Sequence, residues 1–358
     1  MRIILTNPRG FCAGVRMAID VIDQVLSIFP GETIYVYHEI VHNRHVVGRF
    51  RDRGVVFVES VEDPPTGSIL VFSAHGIPPQ VRVRAGERGL RAIDATCPLV
   101  TKVHSEAVRY ARQGYQILLI GHRNHQEVIG TTGEAPEATQ VVERPADIPR
   151  LRIVDPEKLV YLTQTTLSTD DAGVIIEALR RAFPGSKAPP SEDICYATTN
   201  RQQAVRALAP EADLVLVVGS VNSSNSVRLT EIAENAGTPA RLIDDAGGLR
   251  EEWFAGAGAE FRVLITAGAS APEDLVAGVC RELVRRHGAS IETRDVFDED
   301  VEFALPGNLR RMMKDRGMAD ADRRIRVHKP VVTGELYGAV PLTVERSGAR
   351  AGRGRVDG

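Results

Sequence analysis

RIILTNPRGFCAGVRMAIDVI, residues 2–22, changes its apolar period halfway along. Arg2-Ile3-Ile4-Leu5 is a short apolar run of the kind that forms a parallel strand buried on both faces. Val15, Ala18, Ile19, Ile22 and Val25–Leu26 then recur at the spacing of one helical face. Cys12 lies at the junction, near the first turn of the helix. Unpaired amides and the helix dipole there favour a thiolate and can donate hydrogen bonds to an anion. For one isolated cysteine, a small buried residue in a tight turn is the simpler account. Repetition decides between the two.

The junction recurs. FCAGVRMAIDVI, TCPLVTKVHSEAVRYA and ICYATTNRQQAVRAL each place a cysteine after an extended stretch and before a helical one. Pro98 suits the first helical position, where its missing N–H costs little. Cys12, Cys97 and Cys195 are spaced by 85 and 98 residues. After each comes an apolar strand with a polar loop: His42 follows Cys12 by 30 residues, His125 follows Cys97 by 28, and Asn225 follows Cys195 by 30. A third strand end carries His75, Thr165 and Ser270 at offsets of 63, 68 and 75. Nine strand ends are therefore expected, presenting Cys, then His or Asn, then His, Thr or Ser, three times over. Cys280 stands apart. It belongs to the apolar stripe of LVAGVCRELV and reads as core.

Strands alternating with helices predict an α/β fold of parallel sheets, with ligands beyond the carboxyl ends of the strands. The repeat predicts three similar α/β lobes in a pseudo-threefold arrangement around a central cluster and substrate cavity. The expected boundaries are 1–96 (with the N-terminal strand), 97–193, 194–304 and a C-terminal extension at 305–358. FPGSKAPPSED at 183–193 is the clearest linker, and the last dozen residues, rich in Gly and Arg, read as a disordered tail. The 358 residues are 43% hydrophobic and 25% charged with net charge −3, which argues for neither nucleic-acid nor membrane binding. No apolar run approaches the roughly 20 residues of a membrane span, and the start lacks the apolar region of a signal peptide. A cytoplasmic protein is expected, in which four cysteines serve as thiols, catalytic groups or metal ligands rather than disulfides.

Three convergent thiolates suit zinc or an iron–sulfur cluster. The chain has no C-x-x-C pair, and widely separated single cysteines at helix starts suit a larger cluster better than one ion. With three thiolates a four-iron cluster keeps one iron open. The remaining loops suit an anion. Ser223, Ser224, Asn225 and Ser226 are short donors beside an expected helix start, with no carboxylate among them. His42, His75 and His125 add further donors. Glu127, two residues after His125, disfavours phosphate binding as a carboxylate and so suggests proton transfer.

NPRGFCAGV, EIVHNR, FSAHG, DATCPLVTKVH, TQTTLS, DICYATTNRQ, GSVNSSNS and TAGASAP together resemble the motifs of the 4-hydroxy-3-methylbut-2-enyl diphosphate reductases, across roughly residues 1–305. The resemblance implies a [4Fe-4S] cluster on Cys12, Cys97 and Cys195 with one open iron. It implies that His42, His75, His125, Ser223, Ser224, Asn225 and Ser270 hold the substrate diphosphate. Thr165 would lie near the substrate hydroxyl, and Glu127 would be the proton source. The implied reaction removes that hydroxyl as water with two electrons, giving isopentenyl and dimethylallyl diphosphates at the end of the non-mevalonate route. Its partners would be the allylic diphosphate and an electron donor such as ferredoxin or flavodoxin. One departure is visible: this chain reads HQEVIG where relatives read HPEVEG, so Ile129 is unexpected. Two other readings of the same residues are a zinc-dependent phosphate-ester hydrolase and an iron–sulfur sensor.

Overall fold

The computed structural model describes residues 1–339. Strand β1 (Arg2–Asn7) leads into helix α1 (Ala13–Ile28). The chain continues through β2 (Ile34–Tyr37), α2 (Arg44–Arg51), β3 (Val56–Val58), β4 (Ile69–Phe72), α3 (Pro79–Glu87) and β5 (Arg91–Asp94). A second alternation runs α4 (Pro98–Arg112), β6 (Gln116–Ile120), α5 (Gln126–Glu134), β7 (Thr139–Val142), β8 (Leu159–Thr163) and α6 (Thr169–Ala182). The third comprises α7 (Tyr196–Leu208), β9 (Leu214–Val218), α8 (Ser224–Asn235), β10 (Ala240–Ile243), β11 (Arg262–Ala267), α9 (Glu273–His287) and β12 (Ser290–Asp295). Beyond it lie β13 (Glu302–Ala304), α10 (Gly307–Asp315), β14 (Arg324–Arg326) and α11 (Gly334–Tyr337).

Two compact units divide the chain. One comprises Ala13–Thr198 with Glu302–Arg326, and the other Met1–Cys12, Thr199–Val301 and the chain from Val327. The unit beginning at Ala13 holds two parallel sheets, ordered β3-β2-β4-β5 and β7-β6-β8. Their strands are near-continuous apolar runs because helices cover both faces. In the second sheet the period of two divides the core: Leu118, Ile120, Leu159 and Tyr161 face one side, and Ile117, Leu119, Val160 and Leu162 the other. The antiparallel pair β13–β14 and helix α10 pack on α1 in the same unit.

The other unit holds one five-stranded parallel sheet, ordered β10-β9-β11-β1-β12. This corrects the placement of the N-terminal strand. It was expected with residues 1–96, and it pairs instead with β11 and β12, Ile4 opposite Leu264 and Glu292. The reason is its two apolar faces. Ile3 and Leu5 join the core cluster of Leu216, Ile265 and Val279, and Ile4 joins that of Val215, Val217 and Leu264. Such a strand needs neighbours along both edges, and β11 and β12 provide them.

One further expectation changes. β1 and β5 precede Cys12 and Cys97, but no strand immediately precedes Cys195; the stretch before it carries a single bridge, Val160 to Lys187. The extension from residue 305 is folded as far as it is described: Leu305, Leu309 and Met313 are buried, and Tyr337 is completely so. The expected disordered tail lies outside the described residues.

Candidate active site

In the unit beginning at Ala13, five of the expected residues come together from the ends of four strands. The loop after β2 brings His42 to the start of α2, whose N-cap Asn43 accepts the amides of His45 and Val46. The loop after β4 brings His75, and its ring stacks on that of His42 with centroids 3.9 Å apart. Gly76, at φ +82°, makes the turn, and a Cβ there would meet the His104 ring at 2.8 Å. The loop after β6 ends in His125, edge-on to His42 at 5.4 Å and to His75 at 6.1 Å.

Three rings so close disfavour one another's positive charge. His125 is pushed down to about 3, by burial first and then by His42 and His122. Burial, followed by His42 and His125, holds His75 well below the ordinary histidine value. Both are neutral donors near pH 7. His125 also caps α5: its Nδ1 accepts the Glu127 amide at 3.2 Å, which leaves its proton on Nε2, directed away from the helix. The His75 Nδ1 is sealed from solvent and has no hydrogen-bond partner among the described residues. A ligand oxygen would satisfy such a nitrogen.

Glu127 follows on the first turn of α5, 2% exposed. Its Oε1 accepts the Thr165 amide at 2.6 Å, and its Oε2 accepts the Thr165 hydroxyl at 3.0 Å. Those bonds favour the carboxylate, but burial outweighs them and raises the pKa to about 7, with Asp193 adding to the rise. Burial achieves the shift before any ligand arrives. Ile129, two residues on, is 42% exposed, so the departure from the family pattern faces solvent rather than Glu127.

The same unit carries two of the cysteines. Cys97 is the N-cap of α4, and Pro98 takes the first helical position as expected. Its sulfur lies against α1, where a Cβ on Gly14 would be 2.5 Å away. Only a glycine fits that close approach. The Cys195 amide donates to Thr165 O at 3.0 Å, and its sulfur accepts the Thr198 amide at 3.4 Å on the first turn of α7. Two acidic groups missed in the sequence lie behind it. Asp193 and Glu106 face each other, and burial raises both, Glu106 to about 7.

In the other unit Cys12 ends the loop after β1, its amide donating to Ala269 O at 3.2 Å. That loop is fixed by two buried guanidiniums. Arg201 donates to Gly10 O at 2.9 Å and pairs with Glu299 at 2.9 Å. Arg9 pairs with Glu273 and donates to the Tyr337 hydroxyl at 3.2 Å. Neither arginine was singled out in the sequence, because a cation inside a helix or turn looks like a solvated one until its burial is known. Ser223 caps α8, accepting the Ser226 amide, and Ser224 opens the helix. Asn225 is 4% exposed, and both atoms of its amide lack a partner among the described residues. Ser270, after β11, is buried too.

The donor chemistry fits an iron–sulfur cluster. Cys12, Cys97 and Cys195 are partly exposed and next to helix N-termini, where a thiolate is favoured. Cys280 is buried in α9, and burial pushes its thiol up to about 12. Among the described residues no three His, Cys, Asp or Glu side chains gather around one point as a single metal ion requires.

A family model described as LytB protein matches residues 3–284. The 4-hydroxy-3-methylbut-2-enyl diphosphate reductase of Rhodopirellula baltica is 53% identical over 319 residues, covering 89% of this chain and 99% of that protein. The protein of the same name from Azoarcus sp. is 52% identical over 307 residues, 86% of this chain and 97% of its own length. Among solved structures, the E-1-hydroxy-2-methyl-but-2-enyl-4-diphosphate reductase from Plasmodium falciparum aligns with a TM-score of 0.85 at 39% identity, over 88% of this chain and 99% of that one. A match of this length, at these identities, means that the chain belongs to the LytB protein family.

Proposed function

We propose that this protein reductively removes the hydroxyl of (E)-4-hydroxy-3-methylbut-2-enyl diphosphate, giving isopentenyl and dimethylallyl diphosphates. It is an iron–sulfur oxidoreductase of the non-mevalonate isoprenoid route. The observation that carries the reading is Glu127, a buried carboxyl raised to about 7 and bonded to Thr165, beside three stacked or edge-on histidines. A proton donor beside anion donors is what this reaction needs. The C–O bond breaks, a C–H bond forms, and two electrons and two protons are consumed as water leaves.

Cys12, Cys97 and Cys195 hold the cluster, one [4Fe-4S] unit with an open iron. When bound it supplies the electrons and a Lewis-acidic iron for the hydroxyl. His42, His75 and His125 are donors toward the diphosphate, and so are Ser223, Ser224, Asn225 and Ser270. The unpartnered atoms of His75 and Asn225 support that assignment. Thr165 passes a proton from Glu127 toward the leaving oxygen, its hydroxyl 3.0 Å from the carboxyl. Electrons come from a small redox protein of the ferredoxin or flavodoxin type. We place its work in the cytoplasm.

The test is anaerobic purification with iron, sulfide and zinc analysis, followed by turnover of the allylic diphosphate with a chemical reductant. A brown protein with iron, sulfide and both products is expected. Replacing Cys12, Cys97 or Cys195 with Ser should strip the visible absorbance, and replacing Cys280 should leave it. A colourless zinc protein that hydrolyses phosphate esters, or a cluster protein without turnover, overturns the reading.

A further inference from the structure

Ser191 to Cys195 has neither strand nor helix, yet it ends in a thiol assigned above to the cluster. Two sides of the fold hold it. On one side Lys102, within the second turn of α4, directs its ammonium at three oxygens: Ser191 O, Glu192 O and Asp193 Oδ1, each at 3.0 Å. An ammonium has three N–H donors, and all three are engaged. On the other side, at the end of β8, the Thr163 amide donates to Asp193 Oδ2 at 2.9 Å, and Thr165 O accepts the Cys195 amide at 3.0 Å.

The Asp193 side chain is wholly buried, whereas that of Lys102 keeps 27% of its surface exposed. Glu106, one turn beyond Lys102, brings an oxygen to 3.8 Å from the ammonium. The helix beneath is firm, with Val100, Val103 and Ala107 buried. The loop has one apolar anchor, the half-buried Ile194 against the core of the second sheet.

We propose that Lys102 is a positioning residue for the Cys195 thiol: it ties the helix capped by Cys97 to the loop that ends in Cys195. One side chain thereby fixes the loop bearing Cys195 relative to the helix that Cys97 caps. The proposal rests on the reading of both cysteines as cluster ligands. Its physical basis is that a neutral side chain at 102 leaves the buried Asp193 carboxyl and two carbonyls without their donor. A buried acidic group that loses its cation is poorly compensated, and the cheapest relief is for the loop to open toward water. Helix α4, with its own core, has no reason to move.

The test is amide hydrogen exchange on the full-length holoenzyme, kept anaerobic, together with the rate of iron release to a chelator. In the wild type, the Cys195 amide should exchange as slowly as the interior amides of β8. Lys102→Met should speed exchange across 191–195 and iron release by about threefold or more, with α4 amides unchanged. Lys102→Gln, which keeps the stem and a neutral donor, should show a smaller rise of the same kind and serves if the methionine variant does not fold. A Cys195 amide already in fast exchange in the wild type, or unchanged exchange and iron release in either folded variant, overturns the clasp. The ligand reading fails separately: Cys195→Ser would then keep its full iron content, whatever Lys102 does.

Discussion

Glu127 is a carboxyl whose protonation burial controls. Its folded pKa of about 7 stands above the ordinary 4.5. Between those values the folded state binds a proton that the unfolded state has released, so stability falls as pH rises through the window. The difference amounts to ~3 kcal/mol, an order-of-magnitude figure. Glu127→Gln has no proton to lose there. Denaturation midpoints at pH 5 and pH 8, measured anaerobically, should therefore drop less for the variant than for the wild type, and equal drops would remove the burial argument. The same substitution keeps the shape but delivers no proton, so turnover should fall roughly 100-fold or more while substrate still binds. In the wild type kcat should decline above pH about 7, as the acid form is lost. That Thr165 and the three histidines come together was legible in the sequence because each sits at a repeated strand end, and Glu127 follows one of them by two residues. Lys102 and Asp193 were not. A lysine on a helix has the same local pattern whether it faces water or clasps a loop 91 residues away.

At the scale of elements, the loops at the strand ends depend on how closely helix starts approach them. Ser226, on the first turn of α8, is completely buried between the ends of β9 and β11. A Cβ on Gly219 would lie 2.2 Å from its hydroxyl oxygen, and one on Gly268 would lie 1.9 Å away. Rotating the serine cannot relieve both, because its own Cβ is also within 3.0 Å of each position. Gly268→Ala should therefore destabilise the fold by about 1–3 kcal/mol, the usual cost of overpacking, and displace Asn225 with the turn. Urea unfolding of the variant measures this; a loss below about 0.5 kcal/mol would mean the helix start yields freely. The motifs GSVNSSNS and TAGASAP pointed to this turn, but as an anion site. That one serine serves as the wedge could not be read, since the two glycines that flank it come from strands far apart in the chain. The strand expected before Cys195 failed for a related reason. The stretch looks extended, yet only Lys187 finds a bridge.

For the whole molecule, the segment from Val327 closes the unit that contains Cys12. Tyr337 is fully buried in the core cluster of Ile3, Leu5 and Val279, its hydroxyl donating to Glu273 and accepting from Arg9. Arg9 belongs to the same turn as Cys12. Tyr337→Phe keeps the ring but removes the hydroxyl that bonds both members of the Arg9–Glu273 pair, and should cost about 1–3 kcal/mol in denaturant unfolding. No measurable loss would mean that Arg9 and Glu273 suffice without it. The charged, Gly-rich composition after residue 305 hid this packing, because one tyrosine in a polar stretch has no period to reveal it. Nor could the place of β1 be read: an apolar strand states that both its edges need partners, never which.

That place bears on how the chain comes into being. Arg2 is synthesised hundreds of residues before Ser290, the partner on its far edge. At ribosomal speeds on the order of 5–20 residues per second, the interval is roughly 15–60 s. Until β11 emerges RIIL is an apolar ribbon with both edges unsatisfied, and until β12 emerges with one still open, a substrate for chaperones or for a neighbouring nascent chain. The turn bearing Cys12 takes shape only when β11 emerges to receive it, so a cluster held as proposed above waits until most of the chain has been made.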